Sequence, residues 1–242
     1  MVNRSSDPSE AERCFVACAA HELRGEITLQ LTLAQAALAD PNADTAALRE
    51  MGKDVVAACE RQERLLQALL TLARSEYGPL RRDPVDLAAT AAGVLRGHDH
   101  RALRSTTALE PARTTGDPLL VERLITNLIE NAVRHNMPGG RLDTATYTIA
   151  GRAMFTIANT GPVIATAELT RLFQPFQRRN SHERSSADGV GLGLAIVQAI
   201  ANAHDATVNT EARTGGGLRI EIGFPAAAQP KPRRVKPVRA AP

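Results

Sequence analysis

The sequence predicts an α+β protein of two domains, a long helical hairpin followed by an α/β sandwich. Three observations predict it. Residues 10–75 hold one Pro, two Gly and no Trp or Tyr, and are rich in Ala, Leu, Glu and Arg, a composition that favours long helices. Downstream, two pairs of alternating segments, 144–149 with 153–158 and 206–211 with 218–224, meet across short turns. Helices are interspersed with these pairs without a βαβ repeat, which indicates a mixed sheet packed against helices.

The hairpin follows from periodicity. Val16, Ala20, Leu23, Ile27, Leu31, Ala34 and Leu38 recur every three or four residues, as do Leu48, Met51, Val55, Ala58, Gln62, Leu65, Leu69 and Leu72. Asp40-Pro41-Asn42-Ala43-Asp44 breaks the pattern and offers Asp44 as an N-cap. Each apolar stripe is larger than one partner helix covers. Two hairpins joined as a four-helix bundle, a homodimer, would bury both stripes. Cover by the C-terminal segment is the competing arrangement.

Beyond a linker at 77–84, residues 87–96 read as a helix. Asp117 can cap a second one running to 136, with Pro118 in its first turn and Leu120, Leu124, Leu128 and Ala132 as its stripe. Ala150-Gly151-Arg152 turns the first strand pair, and Thr214-Gly215-Gly216-Gly217 the second. Residues 189–204 form a Gly-rich turn entering a helix. The resulting division is a flexible N-terminus (1–9), the hairpin (10–76), the linker (77–84), the sandwich (85–225) and a disordered basic Pro/Ala tail (226–242).

Composition excludes several classes. The chain has 242 residues, five Phe, two Tyr and no Trp, which argues against base-stacking nucleic-acid binders. The net charge is +3, but Lys231, Arg233, Arg234, Lys236 and Arg239 lie in the tail. Removing these five leaves −2 on the body, so no specific nucleic-acid surface is expected. The longest charge-free runs, 189–204 and 153–167, fall short of a membrane span, and no signal peptide is visible. Three cysteines make no disulfide framework, so a cytoplasmic protein is expected.

Four constellations carry chemistry. In His21-Glu22-Leu23-Arg24, Leu23 belongs to the apolar stripe, so His21, about 200° around the helix, should face solvent. An adjacent carboxylate can take a proton from one imidazole nitrogen and leave the other as a nucleophile. In Asn127-Leu128-Ile129-Glu130-Asn131, the two amides lie four apart on one helix face and suit a hard cation such as Mg²⁺, while Arg134 and His135 are placed to approach phosphate. Asn159-Thr160-Gly161 ends a strand in a polar side chain with a Gly that would let a flat ring approach the backbone. Gly189-Val190-Gly191-Leu192-Gly193 precedes a helix and can turn backbone N–H groups towards phosphate.

In order and spacing these motifs resemble those of the cytoplasmic core of a two-component sensor histidine kinase. His21-Glu22-Leu23-Arg24 and the residues to Thr28 resemble the H-box, 127–135 the N-box, 159–161 the G1-box, Leu172-Phe173-Gln174-Pro175-Phe176-Gln177-Arg178 the F-box and 189–197 the G2-box. The resemblance spans 15–225. It implies a dimeric hairpin joined to a Bergerat-type ATP-binding α/β sandwich. His21 would accept the γ-phosphoryl group on Nε2, and Glu22 would deprotonate Nδ1. Asn127 and Asn131 would hold Mg²⁺ and the phosphates of ATP, with Arg134 and His135 beside them. Asn159 would bind the adenine amino group and Gly161 would make room for the ring. Gly189, Gly191 and Gly193 would let a lid over 179–188 close, with Leu192 also in the nucleotide site. The phosphoryl group would pass to an aspartate of a response-regulator receiver domain.

The chain departs from that family at four positions. Glu26 stands where the H-box has Pro, so the helix can continue unkinked. Gly25 stands where a Thr or Asn helps dephosphorylate the regulator, which predicts weak or absent phosphatase activity. Asn159 replaces an Asp but keeps a carbonyl acceptor; Val163 replaces the second G1 glycine. These departures leave open a pseudokinase that binds nucleotide and docks a regulator without catalysis. Cys14, Cys18 and His21, with Cys59, offer a zinc-like ligand set that competes with ordinary core packing. His98 and His100 read as residues of a solvated loop. No sensor region precedes His21, so either the chain is a fragment or a separate sensor or membrane protein delivers the signal.

Overall fold

The computed structural model describes residues 10–39, 44–77, 81–98, 102–175 and 191–227. Helix α1 spans Glu10–Ala39 and α2 spans Thr45–Tyr77. Asp44 caps α2, its Oδ1 accepting from the Ala47 N–H at 2.8 Å. α1 runs unbroken through Gly25 and Glu26, and Thr28 Oγ1 donates back to the Arg24 carbonyl at 2.8 Å. The two helices pack along each other, with Gln30 Nε2 donating to Gln62 Oε1 at 3.1 Å. Ala58 and Leu65 of the α2 stripe are buried, whereas Ile27, Leu31 and Leu38 of the α1 stripe stay exposed.

Strand β1 (Asp83–Asp86) leads directly into α3 (Leu87–Gly97). Asp83 and Pro84, placed by the sequence in the linker, therefore belong to a strand. β1 pairs antiparallel with β3 (Arg113–Gly116) in a two-stranded ribbon, where the missing Pro84 N–H is tolerated. A five-stranded sheet follows the order β2-β4-β5-β7-β6, from β2 (Arg104–Leu109), β4 (Arg141–Ile149), β5 (Arg152–Asn159), β6 (Thr207–Ala212) and β7 (Leu218–Pro225). β2 is parallel to β4 and every other pair is antiparallel, so the sheet is mixed. Ala150 and Gly151, both at positive φ, turn the β4–β5 pair.

Helix α4 (Pro118–Arg134) and α6 (Gly193–Ala203) pack with α3 over one face of this sheet; α5 (Thr166–Leu169) and a 3₁₀ turn (Thr170–Phe173) follow β5. The inward rows Ala153-Phe155-Ile157 and Leu218-Ile220-Ile222-Phe224 meet Leu120, Leu124, Leu128, Ile196 and Ile200 in one core. Each large side chain removed from water there contributes about 1.5–3 kcal/mol. Leu65 and Ala68 of α2 join the same core, so part of the α2 stripe is covered by the sandwich, as the competing arrangement supposed.

His98 is half-buried rather than solvated: it closes α3, its Nδ1 lies 2.9 Å from the Val94 carbonyl, and its Nε2 lies 3.5 Å from Glu130 Oε1. His100 and the tail from residue 228 lie outside the described residues. Among the described residues no helix is long and apolar enough to cross a membrane.

Candidate functional site

The site grows from two helix starts. α4 is closed at its N-terminus by its own residues. Asp117 Oδ1 accepts from the N–H groups of Leu119 (3.0 Å) and Leu120 (3.3 Å), and Pro118 has no N–H to offer. Asp117 Oδ2 takes Arg74 of α2 at 3.0 Å. This cap fixes the helix that carries Asn127 and Asn131.

α6 starts differently. Leu192 stands at the N-cap position, and among the described residues no side-chain cap closes this start. Gly191, at φ 74°, delivers the chain to that start. Across from it sits Asn127, 5% exposed. A Cβ on Gly193 would lie 3.9 Å from Asn127 Oδ1, so Gly193 and Asn127 face each other. Asn127 Nδ2 is buried with no hydrogen-bond partner among the described residues. Leaving a buried amide donor unpaired costs about 1–3 kcal/mol. An anion set between these elements would satisfy that donor together with the open N–H groups of α6. Asn131 is half-buried one turn further along, whereas Arg134 in the last turn is exposed.

The third wall is the end of β5. Asn159 is buried, paired in register with Leu142 of β4 and Leu218 of β7. Gly161 has a reason the sequence did not reveal. A Cβ there would lie 2.6 Å from the His135 carbonyl and 3.5 Å from Gly217 Cα. The space is used by the chain's own backbone, so Gly161 lets β5 dock against the end of α4. It is the His135 main chain that reaches this wall; its side chain is exposed. Gly216 and Gly217, both at positive φ, bring the β6–β7 turn onto the carbonyls of Gly161 and Asn159, and the Gly217 N–H donates to the Pro162 carbonyl at 3.0 Å. The triple-glycine run, read from sequence only as a hairpin turn, is thus part of the wall. Thr160 Oγ1 also donates to Asn136 Oδ1 at 2.6 Å, a pairing that leaves no periodic signal in the sequence.

The structure thus brings together Asn127 with Gly193, and Asn159 with Gly161 and the His135 backbone. Gly189, the whole of the proposed lid and residues 176–178 of the F-box lie outside the described residues, as do the side chains of His21, Glu22, Cys14 and Cys18. The donor chemistry fits Mg²⁺, which binds through few protein oxygens, keeps waters and shares phosphate oxygens. Asn127 and Asn131 are the amides that would hold it.

Residues 116–228 match the family of histidine kinase-, DNA gyrase B- and HSP90-like ATPases. The chain is 37% identical over 235 residues to the sensor protein CutS of Streptomyces coelicolor, covering 93% of this chain and 55% of that one. The chain belongs to the sensor histidine kinases. It spans about half the length of the curated kinases it matches. Its fold is similar to the histidine kinase AdeS of Acinetobacter baumannii, with a TM-score of 0.66, 26% identity and coverage of 85% of this chain and 97% of that one. It is also similar to full-length ShkA solved in complex with AMPPNP, with a TM-score of 0.60, 25% identity and coverage of 88% and 46%. The sandwich that holds Asn127, Asn159 and Gly193 is therefore the part of the chain that matches this ATPase family.

Proposed function

We propose that this chain is an ATP-dependent histidine autokinase core that phosphorylates His21 and passes the phosphoryl group to an aspartate of a response-regulator receiver domain. The observation that carries the reading is Asn127, whose Oδ1 faces Gly193 at the start of α6 and whose buried Nδ2 has no partner among the described residues. A triphosphate there would meet an amide donor, helix N–H groups and the favourable end of a helix dipole. The nucleotide bound by ShkA supports ATP as the ligand. Bound Mg²⁺ would supply charge neutralisation across the phosphates.

In the transfer step the lone pair of His21 Nε2 forms the N–P bond. The bond from the γ-phosphorus to the bridging oxygen breaks and ADP leaves. Glu22 takes the Nδ1 proton. Asn131 and Asn127 orient the phosphates, so catalysis rests on positioning and charge. Exposed Ile27, Leu31 and Leu38 on α1 offer the surface a second copy would cover, which supports a homodimeric four-helix bundle built from α1 and α2. A sensor region of a longer chain, or a separate sensor or membrane protein, would supply the signal.

The test is incubation with γ-³²P-labelled ATP and Mg²⁺. Acid-labile, alkali-stable labelling is expected, absent in His21→Gln and strongly reduced in Asn131→Ala. Regulator binding without any labelling would instead identify a nucleotide-binding scaffold. Gly25 sharpens the second half of the function. A Cβ at this position meets nothing within 4 Å, so a side chain fits there. The wild type is expected to leave a phosphorylated regulator intact in ADP, and Gly25→Thr to accelerate its dephosphorylation. Rapid dephosphorylation by the wild type would defeat this expectation.

A further inference from the structure

The open face of the hairpin does not end with the hairpin. Gln30 of α1 bonds to Gln62 of α2 and so marks the line where the two antiparallel helices meet. At 100° per residue, Ile27, Leu31 and Leu38 lie about 60–100° round α1 from Gln30. Cys59, Leu66 and Leu70 lie about 40–80° round α2 from Gln62, in the same rotational sense. Antiparallel helices bring one sense of rotation to one side of the pair, so these six residues share a face. All of them are exposed.

The start of α4 extends that face. Leu70 and Leu119, 55% and 57% exposed, line one cleft between α2 and the first turn of α4. The apolar patch therefore runs from Ile27 over Leu66 and Leu70 onto the sandwich. Its two halves are tied at the same cleft, where Arg74 Nη2 lies 3.0 Å from Asp117 Oδ2. The charges beside it say what covers it. Glu60, Glu63, Arg64 and Arg123 line the cleft, two acids and two bases. Among the described residues none of the four is held in an ion pair. A second identical patch turned about a two-fold axis sets acid against base, the self-complementarity of an isologous contact. A partner of one charge sign would meet like charge at half of these groups.

We infer that the homodimer contact is not confined to α1 and α2: a second copy of this chain also covers Leu119 at the start of α4. The partner then touches the half of the chain that carries Asn127 and Gly193, and does so at the helix start that Arg74 braces. The inference rests on the reading that α1 and α2 form a homodimeric bundle.

The test is sedimentation of the full chain over a range of concentrations. Leu119→Arg should raise the dimer dissociation constant by about tenfold or more, because it sets an unpaired charge in the contact. Leu31→Arg should do the same, whereas Ile149→Arg, at an exposed residue of β4 outside the patch, should not. A second measurement, free of any charged substitution, follows alkylation of Leu119→Cys on its own peptide by mass spectrometry. That thiol should react more slowly in the dimer than in a Leu31→Arg monomer carrying the same cysteine. Equal reaction in both, or a dimer constant untouched by Leu119→Arg, overturns the inference and spares the four-helix bundle. A wild-type chain that stays monomeric at every concentration sinks both.

Discussion

The starts of α4 and α6 face the same chemical problem and solve it in opposite ways. Every helix begins with N–H groups that have no partner within the helix. α4 satisfies its own with Asp117, and that carboxylate is neutralised by Arg74 from α2. Among the described residues α6 begins at Leu192 and Gly193 with no side-chain cap, and Asn127, whose Oδ1 faces Gly193, has an unpaired buried Nδ2. A fold that caps α4 with a buried aspartate has the means to cap α6. The difference teaches where the molecule spends stability on structure and where it leaves polar groups for a ligand.

Exchanging the chemistry at the two sites should separate stability from function. Asn127→Leu should lower nucleotide affinity by more than about tenfold, because it removes the amide proposed to meet the phosphates. The same change should raise unfolding stability by about 1 kcal/mol, because an unsatisfied buried amide disappears. Calorimetry and nucleotide titration on one preparation check both halves, and a loss of stability would break the comparison. Asp117→Ala should do the reverse. Losing this cap costs about 1–2 kcal/mol, while nucleotide affinity should stay within about twofold given the distance to Asn127. Arg74→Ala should cost less than about 1 kcal/mol, because Arg74 is 46% exposed and its ion pair is screened.

Much of this architecture is legible locally. Asp44 and Asp117 are found as caps because the signal lies within three residues of the helix it starts. The β4–β5 and β6–β7 pairs are found because alternation and a glycine turn sit side by side. β2 is not found: Ser105, Thr106 and Thr107 are exposed on a parallel edge strand, so no apolar alternation marks it. β1 is hidden by the turn signal of Asp83 and Pro84. What the sequence cannot express is partnership at a distance. The site motifs are visible in order, but Arg74 with Asp117, Thr160 with Asn136 and Gly161 with the His135 carbonyl are products of the fold.

The closed start of α4 carries one more long-range partner, and it sets the smallest of the expected effects. His204 caps the far end of α6, is 1% exposed, and accepts the Asp117 N–H on Nε2 at 3.0 Å. Its Nδ1 donates to the Ile200 carbonyl at 2.8 Å. These partners require the neutral ring with the proton on Nδ1, since a second proton would point at the Asp117 N–H. Burial lowers its pKa below 6.5, against the opposing pull of the Ile200 carbonyl and the Asp117 carboxylate. The unfolded chain therefore binds this proton at a higher pH than the folded one. Stability from this group is complete above pH 6.5 and is lost progressively as pH falls below it. His204→Gln can still donate one bond and accept the other without titrating. Its stability should fall less steeply than that of the wild type between pH 7 and about pH 5. Parallel unfolding curves for the two proteins across that range would show that the ring is not what braces Asp117.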